Sequence, residues 1–416
     1  MEEIRPFSIQ KQLFAKAFEK VKENAGTFGV DGQLIEDFER NLKDNLYKIW
    51  NRMSSGSYFP PPVKAVPIPK KTGGKRILGI PTVGDRICQM VVKLALEPVL
   101  EPYFLSDSYG YRPNKSALDA IKVTRQRCWR YSWVVEYDIR GCFDNISHQL
   151  LMKAVKTHTD VKWIVLYIER WLKAPMQQEN GTVEIRDRGT PQGGVISPLL
   201  CNLFLHYVFD HWMTRKYPEV PWCRYADDGL LHCKTLKEAE EMMLKLRERF
   251  AECGLELHPE KTKIVHCEDE KDKANYPNKS FDYLGYTFKA RICKNTKDNS
   301  FFMGFNPAVS ENAKKSMRAR IRKDKVRLRN DLDLEELAEW YNPILQGWLS
   351  YYGAYHGSEM RKVLRHFNLA LVNWARRKYQ ALNRSKTQAS RLIMGIAKKQ
   401  PELFVHWRGT MIGPFI

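Results

Sequence analysis

The sequence predicts an α+β fold: a small antiparallel sheet with helices on one face, followed by a strongly cationic helical region. Three observations carry that expectation. The apolar run Trp133-Val134-Val135-Glu136-Tyr137-Asp138 reads as a strand that ends in a carboxylate. Arg224-Tyr225-Ala226-Asp227-Asp228 has strand-like residues on both sides and reads as a hairpin with the aspartates at its tip. From residue 132 to 267 the order strand, helix, hairpin, helix, strand suits the split βαβ arrangement, which brings Asp138 beside Asp227.

The elements follow in order. Ile9, Leu13, Phe14, Ala17, Phe18 and Val21 form a helical stripe over residues 8–23. Residues 54–64 are a Ser/Gly/Pro-rich connector, and Gly73-Gly74 sits between two short apolar runs as a hairpin turn across Lys70–Gly79. The spacing predicts one helix over 148–173, then a hairpin at Asn180-Gly181, a strong turn dipeptide. Pro191-Gln192-Gly193-Gly194 breaks the chain before a helix at 197–215. Thr235-Leu236-Lys237-Glu238 is a capping box that opens a helix ending near Gly254, and a strand follows at 262–267. Residues 268–280 are polar and lysine-rich, which predicts a loop. Beyond about residue 305 the character changes. Residues 313–329 hold nine Lys/Arg and one acid, and residues 361–400 hold eleven Lys/Arg and no acid. Trp340, Tyr341, Trp348, Tyr351, Tyr352 and Tyr355 lie between them.

Composition narrows the function. A chain of 416 residues with 43% hydrophobic content buries a sizeable core in two or three domains. A net charge of +20 points to a polyanion, nucleic acid first among them. The nine cysteines are dispersed, with no Cys-x-x-Cys pair, which argues against a zinc ribbon and for free thiols in a reducing, cytoplasmic setting. Met1-Glu2-Glu3-Ile4-Arg5 lacks a signal-peptide pattern, and no run of 18 apolar residues predicts a membrane span.

Asp138, Asp227 and Asp228 are the candidate catalytic residues. Three carboxylates on two strand ends can hold two hard divalent ions. Such a pair drives attack of a hydroxyl on a phosphate, the chemistry of nucleotide polymerases. Taken alone, Tyr-x-Asp-Asp is a weak motif, because Asp is also a natural turn residue.

The motifs together resemble bacterial group II intron-encoded reverse transcriptases, or maturases, of the form lacking the C-terminal endonuclease domain. The blocks run in order: Asn24 to Gly32, Val66 to Lys70 with Lys75 to Pro81, Ser108 to Pro113, Tyr137-Asp138-Ile139 with Cys142-Phe143-Asp144, Gly189 to Leu200, Arg224 to Asp228, Glu260 to Lys263, Tyr283 to Tyr286, and Gly347 to Tyr352. The resemblance implies a right-hand polymerase: fingers with part of the palm over 1–130, a palm carrying the catalytic motifs over 131–300, a helical thumb or maturase domain over 305–395, and a short tail over 396–416.

It also implies residue roles. Asp138, Asp227 and Asp228, with the Ile139 carbonyl, hold two Mg²⁺, with Mn²⁺ as a substitute, and Asp228 contributes least. Lys70 and Arg76 clamp the incoming triphosphate, with a solvated basic hairpin as the lesser alternative without the resemblance. Phe143 blocks a 2′-hydroxyl, where the residues alone favour a core aromatic. Gln192 lines the nucleotide pocket. Lys261, or else Lys263, protonates pyrophosphate. Tyr225 packs near the primer terminus. Arg112 either meets template backbone or braces the fingers. Arg376, Arg377 and Lys378 represent the RNA-contacting stretch. Trp348, Tyr351 and Tyr352 read as thumb core rather than base stackers. The implied partners are an RNA template and primer, the protein's own intron RNA and a DNA target. No Cys pair or His cluster remains near Ile416 for a nuclease, so second-strand cutting is not expected of this polypeptide. Two alternatives stay open: a domesticated enzyme of phage defence or a CRISPR system, and an RNA-binding splicing factor without required polymerase activity.

Overall fold

The computed structural model describes residues 6–69, 74–268, 275–294 and 298–408, with backbone only at Lys294. The chain divides into two compact units, one of residues 1–120 with 135–263 and the other of 121–134 with 264–416. Among the described residues the strands are β1 (Val63–Pro69), β2 (Lys75–Ile80), β3 (Trp133–Asp138), β4 (Met176–Gln177), β5 (Val183–Glu184), β6 (Trp222–Tyr225), β7 (Asp228–Cys233), β8 (Lys263–His266), β9 (Ser280–Tyr283), β10 (Tyr286–Lys294) and β11 (Phe301–Val309).

The sheet order is β6-β7-β3-β8, which fits the split βαβ arrangement expected from the sequence. β3 does not alternate in polarity because Val134, Val135 and Tyr137 are all buried, and Leu230 and Leu231 of β7 are fully buried too. β6 and β7 pair antiparallel, with Tyr225 opposite Asp228, so Ala226 and Asp227 form a two-residue loop. Ala226 stands at φ 57, a position where such a turn usually takes Gly. A second sheet, β2-β1-β4-β5, carries the basic hairpin, whose β1 and β2 pair antiparallel from Lys64–Ile80 to Pro69–Lys75. The expected stripe of the first helix is the buried face of Lys11–Glu23: Phe14, Ala17, Phe18 and Val21.

Three local expectations change. The single helix over 148–173 is two helices, His148–His158 and Lys162–Lys173. The break lies at Thr159, whose backbone is extended and whose Oγ1 accepts from Val161 N–H at 3.2 Å. The helix at 197–215 is Ser197–Leu205 and His211–Lys216 joined through a wider π turn, His206–Asp210. At the helix Leu236–Glu252, Thr235 caps Glu238 N–H as expected, but the Glu238 carboxylate accepts from Lys234 N–H at 2.6 Å, one residue before the box pattern.

In the other unit, β9, β10 and β11 form an antiparallel sheet whose first turn is Leu284-Gly285, both at positive φ. The same unit also holds residues 121–134. Trp129 Nε1 donates to Phe305 O at 3.0 Å, Arg125 Nε to Asn306 Oδ1 at 2.7 Å, and Tyr286 packs on Tyr351, Tyr352 and Tyr355. Four longer helices follow: Glu311–Lys323, Leu334–Tyr352, Gly357–Lys378 and Lys386–Lys399. Their shared core includes Tyr341, Phe367, Trp374 and Trp407, with Trp348 and Tyr352 packed against it.

Candidate active site

The carboxylates reach one place because two strand ends carry them. His258 N–H donates to Asp138 O and Arg140 N–H to Glu256 O, each at 2.8 Å. This pairing leaves the Ile139 carbonyl outside those two bonds. The Asp227 hairpin is clamped from behind by Arg224, which is wholly buried. Its guanidinium donates to both oxygens of Asp210 at 2.6 Å, to Ala226 O at 3.0 Å and to Asn202 Oδ1 at 3.1 Å. Gly110 is required beside it, since a Cβ there would lie 2.4 Å from Ala226 N.

Asp138, Ile139, Asp227, Arg76, Gln192 and Lys261 line a single cleft of about 1050 Å³, and Phe143 forms part of its wall. Asp228 and Tyr225 lie on the same hairpin but are not among the lining residues. Lys261 Nζ donates to Asp138 Oδ2 at 2.6 Å, whereas Lys263 Nζ lies 3.4 Å from Glu136 Oε2 and does not line the cleft. Of the two lysines left open by the sequence, Lys261 is the one beside the carboxylates. Lys70 falls outside the described residues.

Electrostatics mark the site as short of positive charge. Burial, then repulsion from Asp227 and Asp138, pushes the Asp228 carboxyl up to about 8. Burial and the charge of Asp138 also raise Asp227. Burial works against the charged form of Lys261, but the bond to Asp138 and the other carboxylates outweigh it, so its ammonium is held above the ordinary value. These oxygen donors fit hard divalent ions. Among the described residues no group of three His, Cys, Asp or Glu side chains is placed to hold a metal ion by itself. A divalent ion that keeps waters and substrate phosphates among its ligands needs only one or two protein carboxylates.

Arg112 is engaged within its own unit. Its side chain is 6% exposed and pairs with Glu101 at 2.6 Å, and Nη1 donates to Leu105 O and Ser108 O at 2.6 and 2.8 Å. In the other unit, Arg376 donates to Asn383 O and Lys378 to Asn330 O, while Arg377 is exposed. Two residues of the site lacked an assigned role in the sequence reading, Arg224 and Asp144. Arg224 adjoins the hairpin, but its burial was not visible, and Asp144 is joined to Gln192 from a distant part of the chain.

Residues 68–288 match the family model for reverse transcriptase (RNA-dependent DNA polymerase), over half of the chain, and residues 314–392 match the maturase-specific domain of group II introns. Protein YkfC of Escherichia coli is 34% identical over 284 residues, covering 59% of this chain and 74% of that protein. The group II intron-encoded protein LtrA of Lactococcus lactis is also 34% identical, over 201 residues, 48% of this chain and 33% of that protein. Among solved structures, telomerase from Candida albicans in complex with a fragment of telomeric RNA aligns with a TM-score of 0.45 and 14% identity, over 88% of this chain and 69% of that one. The chain belongs to the reverse transcriptase family, in the group II intron branch that joins an RNA-directed DNA polymerase region to a maturase-specific domain.

Proposed function

We propose that this protein adds dNTPs to a primer 3′ end on an RNA template, with two Mg²⁺ (or Mn²⁺) held by Asp138, Asp227, Asp228 and the Ile139 carbonyl. The observation that carries the proposal is the single cleft shared by two catalytic aspartates, Arg76, Phe143, Gln192 and Lys261. When bound, the ions activate the 3′-hydroxyl and neutralise charge on the transferring phosphate. Arg76, with Lys70, clamps the triphosphate, and its guanidinium offers a planar fork to phosphate oxygens. The Phe143 ring stands where a 2′-hydroxyl would go. Lys261 keeps its proton next to the carboxylates and gives it to the departing pyrophosphate. Tyr225 supports the primer end. In these terms residues 1–130 are fingers with part of the palm, 131–300 the palm, 305–395 the thumb and 396–416 a tail.

The match to a maturase-specific domain supports a second role: binding the protein's own group II intron RNA during splicing and carrying it toward a DNA target. Arg376, Arg377 and Lys378 lie in that segment. Among the described residues no helix is long and apolar enough to cross a membrane. The nine free cysteines fit work in a reducing cytoplasm.

Primer extension on a long RNA template with dNTPs and Mg²⁺ tests the polymerase. Wild type should give full-length cDNA, and Asp227→Ala with Asp228→Ala should give none while still binding RNA. Synthesis by the double variant would overturn the metal assignment. A folded, RNA-binding wild type that makes no cDNA would leave the splicing role as the function.

A further inference from the structure

We propose that Asp144 is a positioning residue for the incoming nucleotide: its carboxylate orients the Gln192 amide, and Gln192 in turn holds the Arg76 guanidinium in the cleft. The inference rests on the polymerase reading and assigns a part to a residue that reading does not use.

The side chains form a chain of defined polarity. Gln192 Nε2 donates to Asp144 Oδ2 at 2.9 Å. Gln192 Oε1 accepts from Arg76 Nε. A carboxylate only accepts and a guanidinium only donates, so the residue between them must present NH₂ to one side and oxygen to the other. An amide does this in a single orientation. The flanking backbone fixes where the amide starts. Gly79 N–H donates to Gln192 O at 2.8 Å, and Thr190 N–H donates to Phe143 O at 2.7 Å. A Cβ on Gly193 would lie 2.8 Å from Gly79 O, and one on Gly189 would lie 2.6 Å from Asp144 O. The loop is therefore pressed between β2 and the short helix Cys142–Asn145, and its glutamine bridges them.

The consequence for binding is preorganisation. Arg76 is exposed on its hairpin, and a free arginine there would lose side-chain entropy on grasping phosphate. Holding it in advance reduces that loss. Asp144 also acts electrostatically on Arg186, a half-buried residue whose Nη2 donates to Ala174 O at 3.0 Å. The competing role for Asp144 is thus a counterion for Arg186, and the test has to separate the two.

The experiment measures single-dNTP addition on an RNA–primer complex, together with dNTP affinity on the same complex ended by a dideoxynucleotide. Asp144→Ala should weaken dNTP binding about fivefold, the worth of one hydrogen bond, and raise KM by a similar factor with kcat within about twofold. In an Arg76→Ala background the same change should add nothing. Polarity supplies a second, independent check. Gln192→Glu sets two carboxylates against each other and should raise KM. Combining it with Asp144→Asn restores a donor facing an acceptor, and KM should recover toward wild type. Unchanged affinity in Asp144→Ala overturns the proposal, as do losses that multiply with Arg76→Ala or a double variant no better than Gln192→Glu. Loss of melting temperature in Asp144→Ala with dNTP affinity intact assigns Asp144 to Arg186 instead. Wild type that binds dNTP without adding it refutes the polymerase reading, while the affinity series still decides the part of Asp144.

Discussion

Arg224 shows how much the Asp227 hairpin owes to a residue buried behind it. Its guanidinium and the Asp210 carboxylate are both wholly inaccessible to solvent and lie 2.6 Å apart. Burial works against the charged arginine, and Asp210 more than reverses this, so the group stays protonated. Removing one partner of such a pair leaves an uncompensated charge in the interior. Arg224→Met should cost about 3–5 kcal/mol, read as a lower urea midpoint, and should also cut nucleotide addition, because Ala226 O loses its donor. The double change Arg224→Met with Asp210→Leu should recover much of the stability, since no buried charge is left alone. A single variant within about 1 kcal/mol of wild type would deny the pair its role. The sequence made Asp138, Asp227 and Asp228 legible because strand ends and turns are local patterns. Arg224 was visible only as the neighbour of a motif, and its burial depends on Asp210 and Asn202 arriving from the preceding helical segment. Arg112 was ambiguous for the same reason, its partner Glu101 being invisible to a motif. The link from Asp144 to Gln192 joins parts of the chain that no periodicity connects.

At the level of elements, legibility followed hydrophobic period and turn chemistry. The hairpins at 180–181 and 226–227 and the strand ending at Asp138 came directly from the sequence. The break at Thr159 did not, because neither Gly nor Pro marks it and a threonine hydroxyl makes the turn. The π turn at His206–Asp210 leaves the apolar pattern intact and was equally hidden. The short helical turn Val405–Trp407 yields a pH prediction. His406 is fully buried, Nε2 lies 2.7 Å from Asn368 Oδ1, and burial holds its imidazole down at about 3. The unfolded chain takes up that proton near pH 6.5, so it binds more protons than the folded state between about 6.5 and 3. Stability from this group is complete above 6.5 and falls as pH drops through that window, by up to about 1.4 kcal/mol per pH unit. His206, held by burial at about 4, acts in the same direction in the other unit. Thermal melts from pH 7 to 5 should show the loss, and His406→Gln should flatten the slope. Equal slopes for both proteins would mean that the imidazole is protonated in the fold.

For the molecule as a whole, charge is the property that composition alone foretold, and it separates RNA contact from internal support. A chain of net charge +20 that neutralises six or more phosphates should lose affinity for RNA by about a thousandfold between 50 and 200 mM salt. The basic stretch 361–400 should contribute unevenly, because its cations are not equally available. Arg377 is exposed. Lys378 donates to Asn330 O at 2.8 Å and to Leu332 O at 3.2 Å, and Arg376 donates to Asn383 O at 2.9 Å. Arg377→Ala should therefore reduce the slope of log K against log salt by about one unit or slightly less, with no change in melting temperature. Lys378→Ala should lower the melting temperature, because two carbonyls lose their donor, and any effect on RNA should follow that loss. Filter binding across a salt series, beside thermal melts of the same proteins, reads both quantities. A flat salt dependence in wild type would remove phosphate contact as the source of affinity. An Arg377→Ala slope equal to that of wild type would move the RNA-binding surface elsewhere in the basic region.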